Sequence, residues 1–174
     1  AFNRVIGLGH LKRAENVFIE KMIDIYKIAG TKRFFVQLSP MAHRDTEEQL
    51  INNGFTHYND WVKLFCHLDR PIPQTETDFK IVEIGKRDRK IYGEVIAKSF
   101  GFPQVLGLRF AKSLGAKNHR HFMAMDGKKP VAAASLFIYG KTASMAGAGT
   151  LPEYRNSGAQ SALLSRRLQL ARDL

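Results

Sequence analysis

The run Gly147-Ala-Gly-Thr-Leu-Pro-Glu-Tyr-Arg-Asn-Ser-Gly-Ala-Gln-Ser161, passing directly into a helical pattern from Ala162 to Asp173, constrains this chain more than any other stretch. Small residues end a strand, a Pro-led turn follows, and a polar Arg-Asn-Ser-Gly loop opens a helix. The start of a helix leaves backbone N–H groups unpaired and carries partial positive charge, so it can hold an anion. Arg155 adds a fixed charge with a planar fork suited to phosphate, and Gly158 lets the backbone come close to a ligand. The sequence therefore predicts a site for a pyrophosphate-bearing cofactor.

Composition narrows the class. The 174 residues are 44% hydrophobic and 25% charged, the balance of a chain with a packed core rather than a disordered one. No apolar run approaches the roughly 18 residues of a membrane span, and no signal peptide is visible. The single cysteine, Cys66, rules out an internal disulfide framework and reads as a semi-buried small hydrophobe. A cytoplasmic location is the expectation. The net charge of +11, from 27 Lys and Arg against 16 Asp and Glu, favours a polyanionic partner. The cations are dispersed, with their densest groups at 86–90 and at Arg166-Arg167. A phosphorylated small ligand therefore fits better than nucleic acid.

Hydrophobic periodicity organises the rest. Val5 to Leu8 reads as a strand. Leu11, Ala14, Phe18, Met22, Ile25 and Ala29 mark one face of a helix closed by Gly30. Arg33 to Leu38 is a second strand, and Asp45 or Thr46 caps a helix through Asn53 that Gly54 ends. The segment 55–68 reads as extended or mixed. Arg70 to Asp78, with two prolines, suits a linker, which places a boundary near residue 75. Phe79 to Ile84 alternates as a strand. Lys90 to Phe100 is a helix burying Ile91, Val95, Ala97 and Phe100, and Gln104 to Leu114 is a second. Three strands follow: His121 to Met125, turning at Asp126-Gly127 into Pro130 to Tyr139, then Thr142 to Thr150 after a turn at Gly140-Lys141. The last helix carries Ala159, Leu163 or Leu164, Leu168 and Ala171 at helical spacing.

This order, with the segment Thr150-Leu-Pro-Glu-Tyr-Arg-Asn-Ser-Gly158 as its motif, resembles the first part of a GNAT-type N-acetyltransferase, whose loop reads Val-x-Pro-x-x-Arg/Gln-x-x-Gly. The family's usual final Gly or Ala falls here on Gln160. The resemblance covers 79–174. It implies an α+β, acyl-CoA N-acyltransferase-like fold with a mixed sheet, helices on both faces and a C-terminal part that is incomplete. Residues 76–174 would be the acetyl-CoA-binding domain. Residues 1–75 would be a degenerate, cofactor-free βαβα partner domain, because the strand, helix, strand, helix order ending in Gly54-Phe55 echoes the family's latter half.

The resemblance further implies acetyl-CoA as co-substrate, held by Gly149, Thr150, Leu151, Arg155, Asn156, Ser157, Gly158, Ala159, Gln160 and Ser161. Amides from Arg155 through Ser161 would cradle the pyrophosphate, and the strand ending at Gly149-Thr150 would pair with the pantetheine arm. Amides near Ala148 to Thr150 would polarise the thioester carbonyl. The reaction implied is direct attack by a primary amine, small-molecule or peptide, on acetyl-CoA. A non-catalytic module binding CoA or another polyanion is the rival, and a homo-oligomer is left open. No catalytic residue is assigned. Tyr139, Tyr154, Glu83 and Glu153 have the right chemistry but nothing in the sequence selects among them.

Two sharper patterns are set aside. Gly7-x-Gly9 lacks the third glycine and the following acidic residue of a dinucleotide site. His119-Arg-His121 shares a strand face but has no third ligand nearby, so surface or substrate-side histidines are expected and no metal.

Overall fold

The computed structural model describes residues 3–174. The chain divides into two units between Leu64 and Phe65.

In the first unit the elements run β1 (Arg4–Ile6), α1 (Asn16–Ile28), β2 (Phe35–Gln37) and α2 (Thr46–Asn52). β1 and β2 pair in parallel, with Val5 opposite Val36. α1 starts later than its periodicity suggested, and its inward stripe is the buried Ile19 with the half-buried Met22, Ile23 and Tyr26, while Phe18 is 59% exposed and Ile25 65%. Both sets have helical spacing. The stacking of Tyr26 on Phe34, with ring centroids 4.1 Å apart, marks the inward side. Residues 55–64 carry no regular structure.

The second unit holds β3 (Lys80–Ile84), α3 (Arg89–Phe100), α4 (Gln104–Phe110), β4 (His119–Asp126), β5 (Lys129–Tyr139), β6 (Thr142–Thr150) and α5 (Ala159–Arg172). The four strands form one antiparallel sheet in the order β3-β4-β5-β6. Alternation along the strands separates two layers of core. Phe122, Ala124, Ala132, Ala134 and Leu136 meet Ala159 and Leu163 of α5 on one face. Met123 and Ala133 meet Tyr92, Val95, Ile96, Ala111 and Leu114 on the other. Helices thus cover both faces of the sheet, the α+β arrangement that the sequence implied.

Local departures have packing reasons. On α3 the buried line runs through Tyr92, Val95, Ile96 and Ser99, and Ile91 and Phe100 are exposed instead of buried. α4 ends at Phe110, and a 3-10 turn over Ala111–Ser113 carries the chain so that Leu114 is fully buried. Cys66 is exposed rather than semi-buried. The proline-bearing stretch before β3 is irregular, yet Ser165 Oγ of α5 donates to the Pro73 carbonyl at 2.8 Å, which ties it to the second unit.

α3 and α4 touch backbone to backbone. A Cβ on Gly107 would land on the Gly93 carbonyl, and one on Gly93 would sit 3.0 Å from the carbonyl group of Gly107. No side-chain rotation relieves such a clash. Gly107→Ala is therefore expected to lower unfolding free energy by about 3 kcal/mol, read as a fall in urea midpoint at constant slope. Gly127→Ala, in open space but at φ +55°, is the control for backbone strain alone.

Candidate functional site

β6 lies at the edge of the sheet, and its pairing with β5 shifts register between Ala133 and Ser135. Gly149 pairs with Ala133 but Ala146 pairs with Ser135, so Gly147 and Ala148 together oppose one residue. Gly147 adopts φ +56°, the left-handed conformation of a glycine bulge. Beyond Thr150 the chain makes a 3-10 turn over Pro152–Tyr154. It then passes through left-handed residues at Asn156 (φ +61°) and Gly158 (φ +83°) and enters α5.

This turn and helix start border an open cleft of about 460 Å³, lined by Ser99, Phe100, Ala148, Gly149, Thr150 and residues 154–161. No carboxylate is among the lining residues. Among the described residues, no backbone carbonyl accepts from the amides of 156–161, whereas the Arg155 amide closes the turn onto the Pro152 carbonyl at 3.3 Å. A set of free N–H groups at the positive end of a 14-residue helix fits an anion such as a pyrophosphate, and the acidic Glu76, Asp78 and Asp126 line an adjoining cavity that shares Tyr154 and Ser157.

The structure gives several of the sequence-selected residues a structural partner. Arg155 Nη2 donates to the Ser99 carbonyl at 2.9 Å, in the last turn of α3, where carbonyls lack helical partners. Gln160 Nε2 donates to Thr150 Oγ1 at 2.9 Å, so the helix start is tied to the strand end. Gly149 is a close-approach residue: a Cβ there would lie 2.7 Å from Ser99 Cβ. Leu151 is buried in the α3-side core, and its amide donates to the Val131 carbonyl. Ala159 is buried against the opposite face, Ser157 Oγ donates to the Tyr154 carbonyl, and Asn156 and Ser161 are exposed. Tyr154 packs on Phe79, donates to Asp126 at 3.2 Å and has Lys129 over its ring.

The candidate bases are engaged elsewhere. Both Glu83 oxygens accept from Arg120, whose guanidinium holds the carboxyl below its ordinary range. Glu153 lies 3.6 Å from Lys129. His121 is not at the surface: it is 1% exposed on the α3 side of β4. Ser113 Oγ donates to the Phe110 carbonyl, so it accepts from His121 Nε2–H at 2.9 Å, which leaves Nδ1 unprotonated. Burial, with His119 beside it, pushes His121 down to about 4. Among the described residues no group of three or more His, Cys, Asp or Glu could hold a metal, and no helix is long and apolar enough to cross a membrane.

Sequence reasoning missed the buried polar cluster beneath the bulge. Tyr92, 2% exposed, packs its ring edge-on to His121 at 5.2 Å. Ser135 Oγ donates to the Ala146 carbonyl. Arg167, 3% exposed, reaches from α5 to give Nη1–H to the Ser135 carbonyl at 2.9 Å and Nε–H to Leu163 at 3.0 Å. The sequence signal was an arginine at an inward position of an amphipathic helix, which reads as surface charge when the burial is unknown.

No family model matches the chain, and no curated protein sequence matches it. Solved structures do. A protein of Pyrococcus horikoshii described as an acetyltransferase aligns over 67% of this chain at 18% identity with a TM-score of 0.50. The ribosomal-protein-S18-alanine N-acetyltransferase of Escherichia coli aligns over 53% at 18% identity and TM-score 0.47. The aminoglycoside N-acetyltransferase AAC(6')-Iy, solved with CoA, aligns over 56% at 16% identity and TM-score 0.46. The chain spans 39% of the length of the first and 59% of the second. The fold is that of the GNAT-type N-acetyltransferases, as the loop motif implied.

A buried neutral histidine makes stability depend on pH. An imidazole in the unfolded chain titrates near its ordinary 6.5, whereas burial in the folded protein holds His121 down to about 4. The unfolded chain therefore binds the extra proton in that interval, and stability falls as pH drops from 6.5 toward 4, by about 3 kcal/mol in all. Urea unfolding across this window should show the slope, and His121→Asn should flatten it.

Proposed function

We propose that this protein is an N-acetyltransferase that binds acetyl-CoA in the cavity between β6 and α5 and transfers the acetyl group to a primary amine. The observation that carries this is the row of unpaired amides at 156–161, set at the start of α5 and at the end of a bulged edge strand. The GNAT-type fold supports it. Gly149, Thr150, Leu151, Arg155, Asn156, Ser157, Gly158, Ala159, Gln160 and Ser161 are the proposed cofactor segment. They divide into amides that hold phosphate, at 156–161, and side chains that hold the loop, at Arg155 and Gln160.

Acetyl-CoA supplies an activated thioester. The chain's part is to bind and orient it, because preorganised donors and alignment lower the barrier without a covalent step. From Thr150 the edge of β6 runs back through Gly149 to the bulge at Gly147 and Ala148. An extended arm anchored by phosphate at the loop can therefore lie along the open edge of β6 with its reacting end near the bulge. The acceptor amine attacks as the free base and its proton passes to water, since Glu83, Glu153 and His121 are each unsuited to take it. The acceptor class is proposed as a small-molecule or peptide amine.

Acetyl-CoA at a hundred times its dissociation constant should stabilise the chain by about 2.7 kcal/mol, seen as a rise in melting temperature. Ser161→Glu places an acid in the first turn of α5, where it interacts favourably with the helix dipole but opposes a bound phosphate. The variant should melt no lower than wild type without ligand and lose the acetyl-CoA shift. If wild type shows no shift with acetyl-CoA or CoA, the proposal fails. Binding of RNA that weakens steeply with salt and ignores Ser161→Glu would favour a polyanion-binding module instead.

A further inference from the structure

We propose that Phe100 is the apolar contact for the arm of CoA, seating the dimethyl group next to the pyrophosphate, an inference that rests on the acetyl-CoA reading above. The sequence expects this ring in the core, yet it is 50% exposed and belongs to neither core layer. It lines the cleft that residues 154–161 border. A large apolar side chain left half in water, inside a cleft rather than on an open face, gains most from a ligand with apolar surface of its own.

The ring is held where it stands. α3 ends at Gly101 (φ +66°), and the Phe102 amide donates to the Ala97 carbonyl at 2.9 Å, which closes the helix just past Phe100. On the other side the Ser99 carbonyl accepts from Arg155 at 2.9 Å, so the residue before Phe100 is tied to the loop before α5. Phe100 stacks on Phe102, with ring centroids 5.4 Å apart and planes at 15°. Its edge meets β6: Phe100 Cε2 lies 3.2 Å from where a Cβ on Gly149 would stand, so the ring abuts the backbone of the strand. Tyr154 also lines the cleft, but its ring already carries Phe79 and Lys129.

That position matches the order of chemical groups along CoA. With the pyrophosphate on the amides of 156–161, a chain that follows the edge of β6 toward the bulge passes Gly149 early, and with it the Phe100 ring. The first group of the pantetheine arm beyond the pyrophosphate is a carbon bearing two methyls, the bulkiest apolar group of the arm. Its amides and thioester come further on, beside the strand edge. Loop amides meet any pyrophosphate alike. A ring at this point discriminates by what the pyrophosphate carries, so Phe100 gives the site its preference for CoA over the same nucleotide without an arm.

The test compares two ligands on the full chain by titration calorimetry: CoA, and 3′-phospho-ADP, which keeps the phosphates and lacks the arm. Wild type should bind CoA more tightly. Phe100→Ala should weaken CoA about tenfold, the effect of returning two methyl groups to water, and leave the affinity for 3′-phospho-ADP unchanged. Phe100→Leu, still apolar, should recover part of the loss. Equal weakening of both ligands, or no weakening of CoA, overturns the role of Phe100 and leaves the cofactor site standing. Absence of CoA binding to wild type removes both proposals together. If Phe100→Ala does not fold, a CoA analogue without the two methyls should bind wild type about tenfold less tightly than CoA. Equal affinity for the analogue overturns the inference.

Discussion

The hydrogen bond from Arg155 to the Ser99 carbonyl is the contact on which the geometry of the site depends. It joins the loop before α5 to the end of α3, two segments far apart in sequence. An arginine in such a loop invites reading as a phosphate ligand. Its first partner here is a backbone carbonyl at a helix C-terminus, a group that favours a cation in any case. The Gln160 bond to Thr150 and the glycine-only gap between Gly149 and Ser99 act in the same place. Together they fix strand end, loop and helix start as one piece, and residues 156–161 line the cavity beside it.

A division of labour follows. Backbone groups supply what an anion needs, and side chains supply shape. That division explains why Gln can stand where the family commonly has Gly or Ala: position 160 is half-buried, and its side chain turns back to the strand rather than into the place of a ligand. It also explains the small residues of β6. Gly149 is small because α3 presses on it, and Gly147 is small because the strand bulges there.

The second unit was legible because its signals are local. Asp126-Gly127 sets a hairpin, alternation from His121 to Tyr139 sets a two-faced sheet, and the Pro-led loop with Gly158 sets the start of α5. The helix faces were harder. α1 carries apolar residues on more than one side, so 18-22-25 and 19-22-23-26 are equally periodic, and tertiary contact with Phe34 decides. On α3 the glycine at 93 lets α4 approach so closely that the buried line passes through Tyr92 and Ile96, leaving Ile91 outside. The polar cluster under the bulge was illegible for a different reason. Tyr92, His121, Ser135 and Arg167 are dispersed over four elements, and only the register of β4 against β5, which sets His121 opposite Ser135, and the packing of α3 and α5 bring them together.

The touching backbones of α3 and α4 have a mechanical consequence. Side chains cushion most helix pairs, so one helix can shift slightly while rotamers absorb the motion. Between Gly93 and Gly107 there is no such cushion. α4 and α3 must then move as a single lever, and the far end of that lever is the Ser99 carbonyl held by Arg155. Anything that leans on the exposed Val105 and Leu108 of α4 is thereby felt at the loop before α5.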